Sequence, residues 1–349
     1  MTMRDFVLTG QWVFLAYFVG INAGYLLQNV IAAHGIRKYL QTADQYEAEN
    51  VFSALDIPIS VVVPAYNESA SIITSVKAML QLEYPQYELI VVNDGSSDDT
   101  LQKLIDEFGM QEFPEAYRAR VSCAPVRKVY RSTRVSNLRV VDKENGGSKA
   151  DAANAGINLC RYPLVCVVDA DSVLQPDSLR RVVRPFLEDP TTVAVGGTVR
   201  IANGCTIRQG FLEKVGLPRN FLALVQVVEY LRAFLFGRMG WSPMNALLII
   251  SGAFGLFHKE TLVEAGGYNP KAIGEDMELV LRLHRTMKAK GKPYRTTFVP
   301  DPVCWTDAPE NLRDLKSQRV RWQHGLGQAL ALNKSLLTNP RGGAVTWFA

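Results

Sequence analysis

The sequence predicts an α/β fold: a Rossmann-like, mostly parallel sheet flanked by helices, carried behind an N-terminal transmembrane helix. Three observations predict it. Residues 6–33, FVLTGQWVFLAYFVGINAGYLLQNVIAA, hold no charge, and about 20 apolar residues suffice to cross the hydrocarbon core of a bilayer. Short β-branched runs at 57–63, 88–92, 138–141 and 164–168 alternate with helix-like stretches such as 69–82 and 149–160. That is the pattern of a parallel sheet buried on both faces. The polar motifs PAYNE, NDGSSDD and DADS each follow a strand directly, and in such sheets ligands bind beyond the carboxyl ends of the strands.

Composition agrees. The 349 residues are 48% hydrophobic and 21% charged, which supports a sizeable core and excludes wholesale disorder. A net charge of +4 gives no reason to expect nucleic acid; local Lys and Arg clusters suit phosphates or lipid headgroups instead. The five cysteines, Cys123, Cys160, Cys166, Cys205 and Cys304, lack the spacing of a disulfide framework or a zinc site. They read as buried free thiols in a reducing compartment. His34, His258, His284 and His324 are equally scattered and predict no histidine-built metal site.

From the N-terminus, the apolar run is too long for the core of a secretory signal. Its polar positions, Gln11, Asn22, Gln28 and Asn29, predict one face turned to other helices. Arg37 and Lys38 follow the run while Arg4 alone precedes it, so the positive-inside rule puts the large domain in the cytoplasm, at an inner or plasma membrane. Residues 1–40 thus read as a transmembrane helix with its juxtamembrane segment and 41–56 as a polar linker. Residues 57–322 read as a catalytic domain, and 323–349 as an interface helix leading to a second membrane segment. The closing AVTWFA, after Arg341-Gly342-Gly343, reads as the start of that segment, cut short. Inside the domain, the apolar-rich stretch 211–236 reads as a helix joining its two halves, with an amphipathic membrane-surface helix as the rival.

The polar motifs carry the chemistry. Asp169 and Asp171 follow the apolar LVCVV. Two carboxylates one residue apart at a strand end can hold a hard divalent cation against a diphosphate, whose charge grows as it leaves a sugar. A surface turn is the plain alternative. Asp94 can accept hydrogen bonds from a base or ribose while Gly95 permits a tight turn; Ser96, Ser97 and Asp98 equally suit a helix cap. Tyr66 and Glu68 leave the first strand, where an aromatic ring can stack on a base. Lys149 follows a glycine pair and opens a helix, whose N-terminus favours anions. Glu275 and Asp276, in a Gly-Glu-Asp motif before a helix, offer a general base for an acceptor hydroxyl, which is a poor nucleophile until its proton is removed. Gln318, Arg321 and Trp322 share a helix. There the indole offers an apolar face to a sugar ring and the guanidinium a fork for phosphate oxygens.

In this order, over residues 58–322, the motifs resemble those of the processive family 2 glycosyltransferases, which include the synthases of cellulose, chitin, hyaluronan and poly-N-acetylglucosamine. The resemblance implies a GT-A fold, inverting chemistry and Mg²⁺ or Mn²⁺ as cofactor. By position it assigns Tyr66, Glu68, Asp94, Lys149, Asp169 and Arg321 to the nucleotide sugar, and Asp169 and Asp171 to the metal. Asp276 becomes the base, and Ser251, Gly252, Glu275, Gln318 and Trp322 the acceptor site. Ser251-Gly252-Ala253-Phe254 stands where that family has its acceptor floor. Ile250 and Ser251 occupy the place of a cysteine found in cellulose synthases, which turns the resemblance towards the hyaluronan and poly-N-acetylglucosamine branch.

The expected function is metal-dependent, inverting transfer of a hexosyl or N-acetylhexosaminyl group from a nucleotide-diphosphate donor, a UDP-sugar, to a growing polysaccharide. The alternative is non-processive transfer to a lipid or lipid phosphate, against which the QxxRW motif speaks. A nucleotidyltransferase would share the paired aspartates without needing the GED and QxxRW segments. Expected partners are the sugar donor, the glycan acceptor, membrane lipids, and export or accessory membrane subunits, with no nucleic acid.

Overall fold

The computed structural model describes residues 3–50, 56–337 and 343–348. Helix α1 (Met3–Asn50) carries the uncharged run and continues through most of the segment expected to be a linker. Residues 51–55 of that linker, and 338–342 and 349 of the expected second membrane segment, lie outside the described residues. Within α1, Val7–Gln41 is long and apolar enough to cross a membrane, with a mean hydropathy of 1.3 and 6% of its most apolar window buried. Of the four polar positions on the run, Gln28 alone is buried; the exposed Asn22 bonds back to the Phe18 carbonyl at 2.7 Å. Further along α1, Tyr39 donates its hydroxyl hydrogen to Asp301 of the catalytic domain.

The run ISVVVPA forms β1 (Ile59–Ala65), buried at every position, because a continuous β-branched strand is stable only when covered on both faces. The chain continues through α2 (Ile72–Met79), β2 (Tyr87–Asn93), α3 (Thr100–Phe108), β3 (Met110–Glu112), β4 (Val126–Ser132) and β5 (Leu138–Lys143). It then adds α4 (Lys149–Leu159), β6 (Leu164–Val168), β7 (Val173–Leu174), α5 (Ser178–Glu188) and β8 (Thr192–Ile201). Helix α2 starts later than expected because the amide of Ser69 is taken by the Asp98 carboxylate at 3.1 Å.

Residues 211–236 do not form one helix. Phe211–Lys214 is a strand, β10, paired with β9 (Thr206–Arg208) around Gly210, whose φ is 83°. Gly216 and Pro218 then interrupt the chain, and Asn220 caps α6 (Phe221–Leu231) by accepting from the amides of Leu222 and Ala223 at 2.9 and 3.1 Å. A π-helical turn, Arg232–Arg238, follows and runs into α7 (Met239–Trp241). The fold closes with β11 (Phe254–His258), α8 (Lys259–Glu264), α9 (Glu275–Ala289), β12 (Arg295–Thr306) and α10 (Leu312–Leu332).

The main sheet has ten strands in the order β3-β4-β5-β2-β1-β6-β11-β8-β12-β7. Its centre, β5-β2-β1-β6, is parallel throughout, and β11 enters antiparallel between β6 and β8. Each face has its own core: Val61 and Val63 pack with α2, α3 and α5 on one side, Val62 with α4, α8 and α9 on the other. The chain leaves β1 towards β2 on one side and β6 on the other, and this switch point is where open α/β sheets hold their ligands. All five cysteines are free thiols, with Cys160, Cys166 and Cys304 buried.

Candidate active site

The loops after β1 and β2 are tied to each other. Asn67 accepts from the Ser97 amide at 2.8 Å and donates its own amide to the Ser96 hydroxyl at 3.0 Å. The Glu68 amide bonds to Thr100 Oγ1 at 2.9 Å. Ser96, Ser97 and Asp98 therefore bridge two loops as well as leading into α3. Gly95, at φ 64°, could not carry a side chain, since a Cβ there would sit 2.8 Å from the Asn145 amide nitrogen.

Beneath these loops, Asp94 is 4% exposed and ion-pairs with Lys143. It also accepts from the Gly146 amide at 3.1 Å. Lys143 has no exposed surface and bridges on to Asp151 at 2.7 Å. Asp94 Oδ1 is thus paired inward, where a buried ammonium needs a counter-charge. Nothing in the local pattern VVDKENGG singled out Lys143, whose burial depends on the strands beside it.

Ten of the expected site residues meet in one cleft of about 650 Å³: Lys149, Asp169, Asp171, Ser251, Gly252, Glu275, Asp276, Gln318, Arg321 and Trp322 all line it. Tyr66, Glu68 and Asp94 lie on or under the neighbouring loops. The antiparallel pairing of β6 with β11 sets Phe254 against Val168, which brings the Asp169 amide to the Ala253 carbonyl at 3.4 Å. Lys149 opens α4 below Ser148, a cap that accepts from the Asp151 amide at 3.3 Å. Its ammonium pairs with Asp169 and donates to the Gly252 carbonyl at 2.6 Å. The Gly252 amide in turn donates to Asp276 Oδ2 at 3.1 Å, and the Met277 amide to Oδ1 at 2.8 Å.

The electrostatics follow from crowding. Burial pulls the Lys149 ammonium down, but Asp169, with Glu275 and Asp276, outweighs it and leaves it above its usual value. Asp171 is exposed within the open cleft, yet withdrawal from bulk water, then Asp169 and Glu68, push its carboxyl up. Burial, then Asp276, does the same to Glu275. Burial raises both groups, and like charges close by add to it.

The opposite wall is α10. Ile273 donates its amide to Gln328 at 2.8 Å, and Gln328 donates to the Lys271 carbonyl at 3.1 Å. Gly274 and Gly325 meet backbone to backbone; a Cβ on Gly325 would sit 2.9 Å from the Gly274 amide nitrogen. This contact sets the helix of Asp276 against the helix of Trp322, and it was invisible to motif reading. Trp322 is 40% exposed, with Arg319 stacked over its ring at 4.4 Å and bound through both nitrogens to Glu229 at 2.6 Å.

Comparison with known proteins identifies the family. The model of the family "Glycosyltransferase like family 2" matches residues 57–325. The poly-beta-1,6-N-acetyl-D-glucosamine synthase of Staphylococcus epidermidis is 30% identical over 267 residues, 76% of this chain and 54% of that protein. The synthase of the same name from Staphylococcus aureus (strain COL) is 30% identical over 269 residues, with the same coverage. The chain spans about half the length of the curated relatives it matches. Among solved structures, the mannosyltransferase PcManGT from Pyrobaculum calidifontis, in complex with GDP-Man and Mn²⁺, aligns with a TM-score of 0.56 at 20% identity. That alignment covers 92% of this chain and 80% of that one, a likeness of fold. With the family match running from before β1 to the middle of α10, the chain belongs to glycosyltransferase family 2.

Proposed function

We propose that this chain transfers a sugar, N-acetylglucosamine by analogy with its named relatives, from a UDP donor to a growing polysaccharide with inversion at the anomeric carbon. The observation that carries the reading is the convergence of Lys149, Asp169, Asp171, Asp276, Arg321 and Trp322 on one cleft.

The lining also fits a divalent cation. Six carboxylates, Asp169, Asp171, Glu229, Glu275, Asp276 and Asp307, face three cations, Lys149, Arg238 and Arg321. A diphosphate, itself anionic, enters such a cleft favourably only when further positive charge accompanies it. Asp169 and Asp171 would hold Mg²⁺ or Mn²⁺. No cluster of three or more His, Cys, Asp or Glu side chains suited to a metal exists among the described residues. Water and diphosphate oxygens would therefore complete the shell, as is usual for Mg²⁺. The ion supplies neutralisation of charge on the leaving diphosphate.

The protein's own groups do the rest. Asp276, held by two backbone amides, takes the proton of the acceptor hydroxyl as that oxygen attacks the anomeric carbon. Lys149 and Arg321 meet the phosphate oxygens, and Trp322 presents its face to the acceptor sugar. Tyr66 and Glu68, beside Asp171, hold the nucleoside, with Asp94 and Lys143 bracing the loops from below. Ser251, Gly252, Glu275 and Gln318 line the acceptor end. Helix α1 crosses an inner or plasma membrane with the catalytic domain on the cytoplasmic side, among lipids and export or accessory subunits.

Membranes carrying the full chain, incubated with a panel of UDP-sugars while released UDP is measured, test this reading. UDP-N-acetylglucosamine should turn over fastest, EDTA should stop the reaction, and Mg²⁺ or Mn²⁺ should restore it. Asp276→Asn should lower transfer by about 10²- to 10⁴-fold while UDP still binds. Full activity in that variant would sink the base assignment, and a product with the donor's anomeric configuration would sink inversion. Product length distinguishes a polymer from a single addition to lipid.

A further inference from the structure

The cleft holds a cation that no motif explains. Arg238 ends the π-helical turn Arg232–Arg238 and lines the same cleft, together with Tyr230, Phe234 and Gln318. π-Helical turns are rare and are retained where they aim a side chain at a functional site. The Arg238 guanidinium lies over the Phe234 ring at 3.6 Å. Its Nε and Nη1 are sealed from solvent and meet no hydrogen-bond acceptor among the described residues.

Such an arrangement is costly without a ligand, since a desolvated charge needs partners. Burial lowers the Arg238 pKa to about 10, against the pull of Asp276 and Tyr230. The charged neighbours of Lys149 are instead Asp169, Glu275 and Asp276. Asp276 is the shared member, so both cations lie within electrostatic reach of it. On the same wall, Gln318 Oε1 is sealed and meets no donor among the described residues. An anion would satisfy Arg238 and leave Gln318 unmet. Both residues also line the cleft, where a sugar, whose hydroxyls both donate and accept, can meet either kind of group.

The turn is tied to α1. Gln28 of α1 donates to the Gly237 carbonyl at 3.1 Å, and a Cβ on Gly240 would sit 2.3 Å from Gln28 Cγ.

We propose that Arg238 is an acceptor-binding residue. It donates hydrogen bonds to hydroxyl or acetamide oxygens of the sugar unit that presents its hydroxyl to Asp276, on a wall shared with Gln318. The inference rests on the glycosyl-transfer reading and deepens it by adding a specific contact to the acceptor.

The test uses the full chain in detergent, with Arg238→Ala and Arg238→Lys beside the wild type. Three quantities are measured: hydrolysis of UDP-N-acetylglucosamine without acceptor, transfer to a short N-acetylglucosamine oligosaccharide, and direct binding of that oligosaccharide by tryptophan fluorescence. In Arg238→Ala, acceptor kcat/KM and oligosaccharide affinity should fall about ten- to a hundredfold, the cost of one hydrogen bond from a charged donor. Hydrolysis should fall less than transfer does. Arg238→Lys keeps the charge without the fork and should fall less, which guards against a folding defect in the alanine variant. Equal loss of hydrolysis and transfer would assign Arg238 to the donor and overturn the proposal, as would unchanged acceptor affinity. If the wild type turns over no UDP-sugar yet binds the oligosaccharide through Arg238, the transfer reading fails and the sugar contact stands.

Discussion

The two sides of the cleft are built on opposite plans. On the donor side, Asp94, Lys143, Asp151, Lys149 and Asp169 are paired with one another, and the loops after β1 and β2 exchange hydrogen bonds. On the acceptor side, Arg238 and Gln318 keep sealed polar atoms without partners among the described residues. The lesson is one of preorganisation. Ion pairs among its charged groups hold the proposed donor side in shape between turnovers, whereas the unmet charge of Arg238 depends on an occupant to complete it.

This contrast can be broken by experiment. The largest effect should come from Lys143→Met, which strands Asp94 and Asp151 in the interior. Stability should drop by about 3–5 kcal/mol in a denaturant titration, and an unchanged midpoint would show that the donor side is not braced as described. Gly325→Ala should cost about 1–3 kcal/mol by overpacking against Gly274, with transfer and UDP affinity both falling because the shifted helix carries Trp322 and Arg321. Gln28→Leu removes the bond to the Gly237 carbonyl and should cost about 1 kcal/mol. Acceptor KM should rise in that variant while donor hydrolysis holds; a matching loss of both would extend the influence of α1 to the donor side. Arg319→Ala should be nearly silent in stability, below about 1 kcal/mol, because its pair with Glu229 is solvent-exposed.

Much of what lines the proposed donor side was readable in the sequence, because its residues sit on strand exits and helix starts that local patterns mark. The β-branched runs located β1, β2, β5 and β6, and the polar letters after them located Lys149, Asp169 and Asp171. Residues 211–236 were misread because apolar content outweighed Gly210, Gly216 and Pro218, which break the segment into a hairpin, a loop and a capped helix. Lys143 and Arg238 were not legible for a different reason. A lysine in a polar turn and an arginine closing an apolar stretch look like surface residues until neighbours distant in sequence enclose them. Gly274 and Gly325, 51 residues apart, matter only through each other.

That glycine pair governs more than packing. Side-chain contacts can loosen by rotating about χ, but two backbones in direct touch have no such freedom. Under the proposed chemistry, the span from proton acceptor to aromatic platform is settled once, when the polypeptide folds. Each sugar joined would then meet the same two groups at the same backbone spacing.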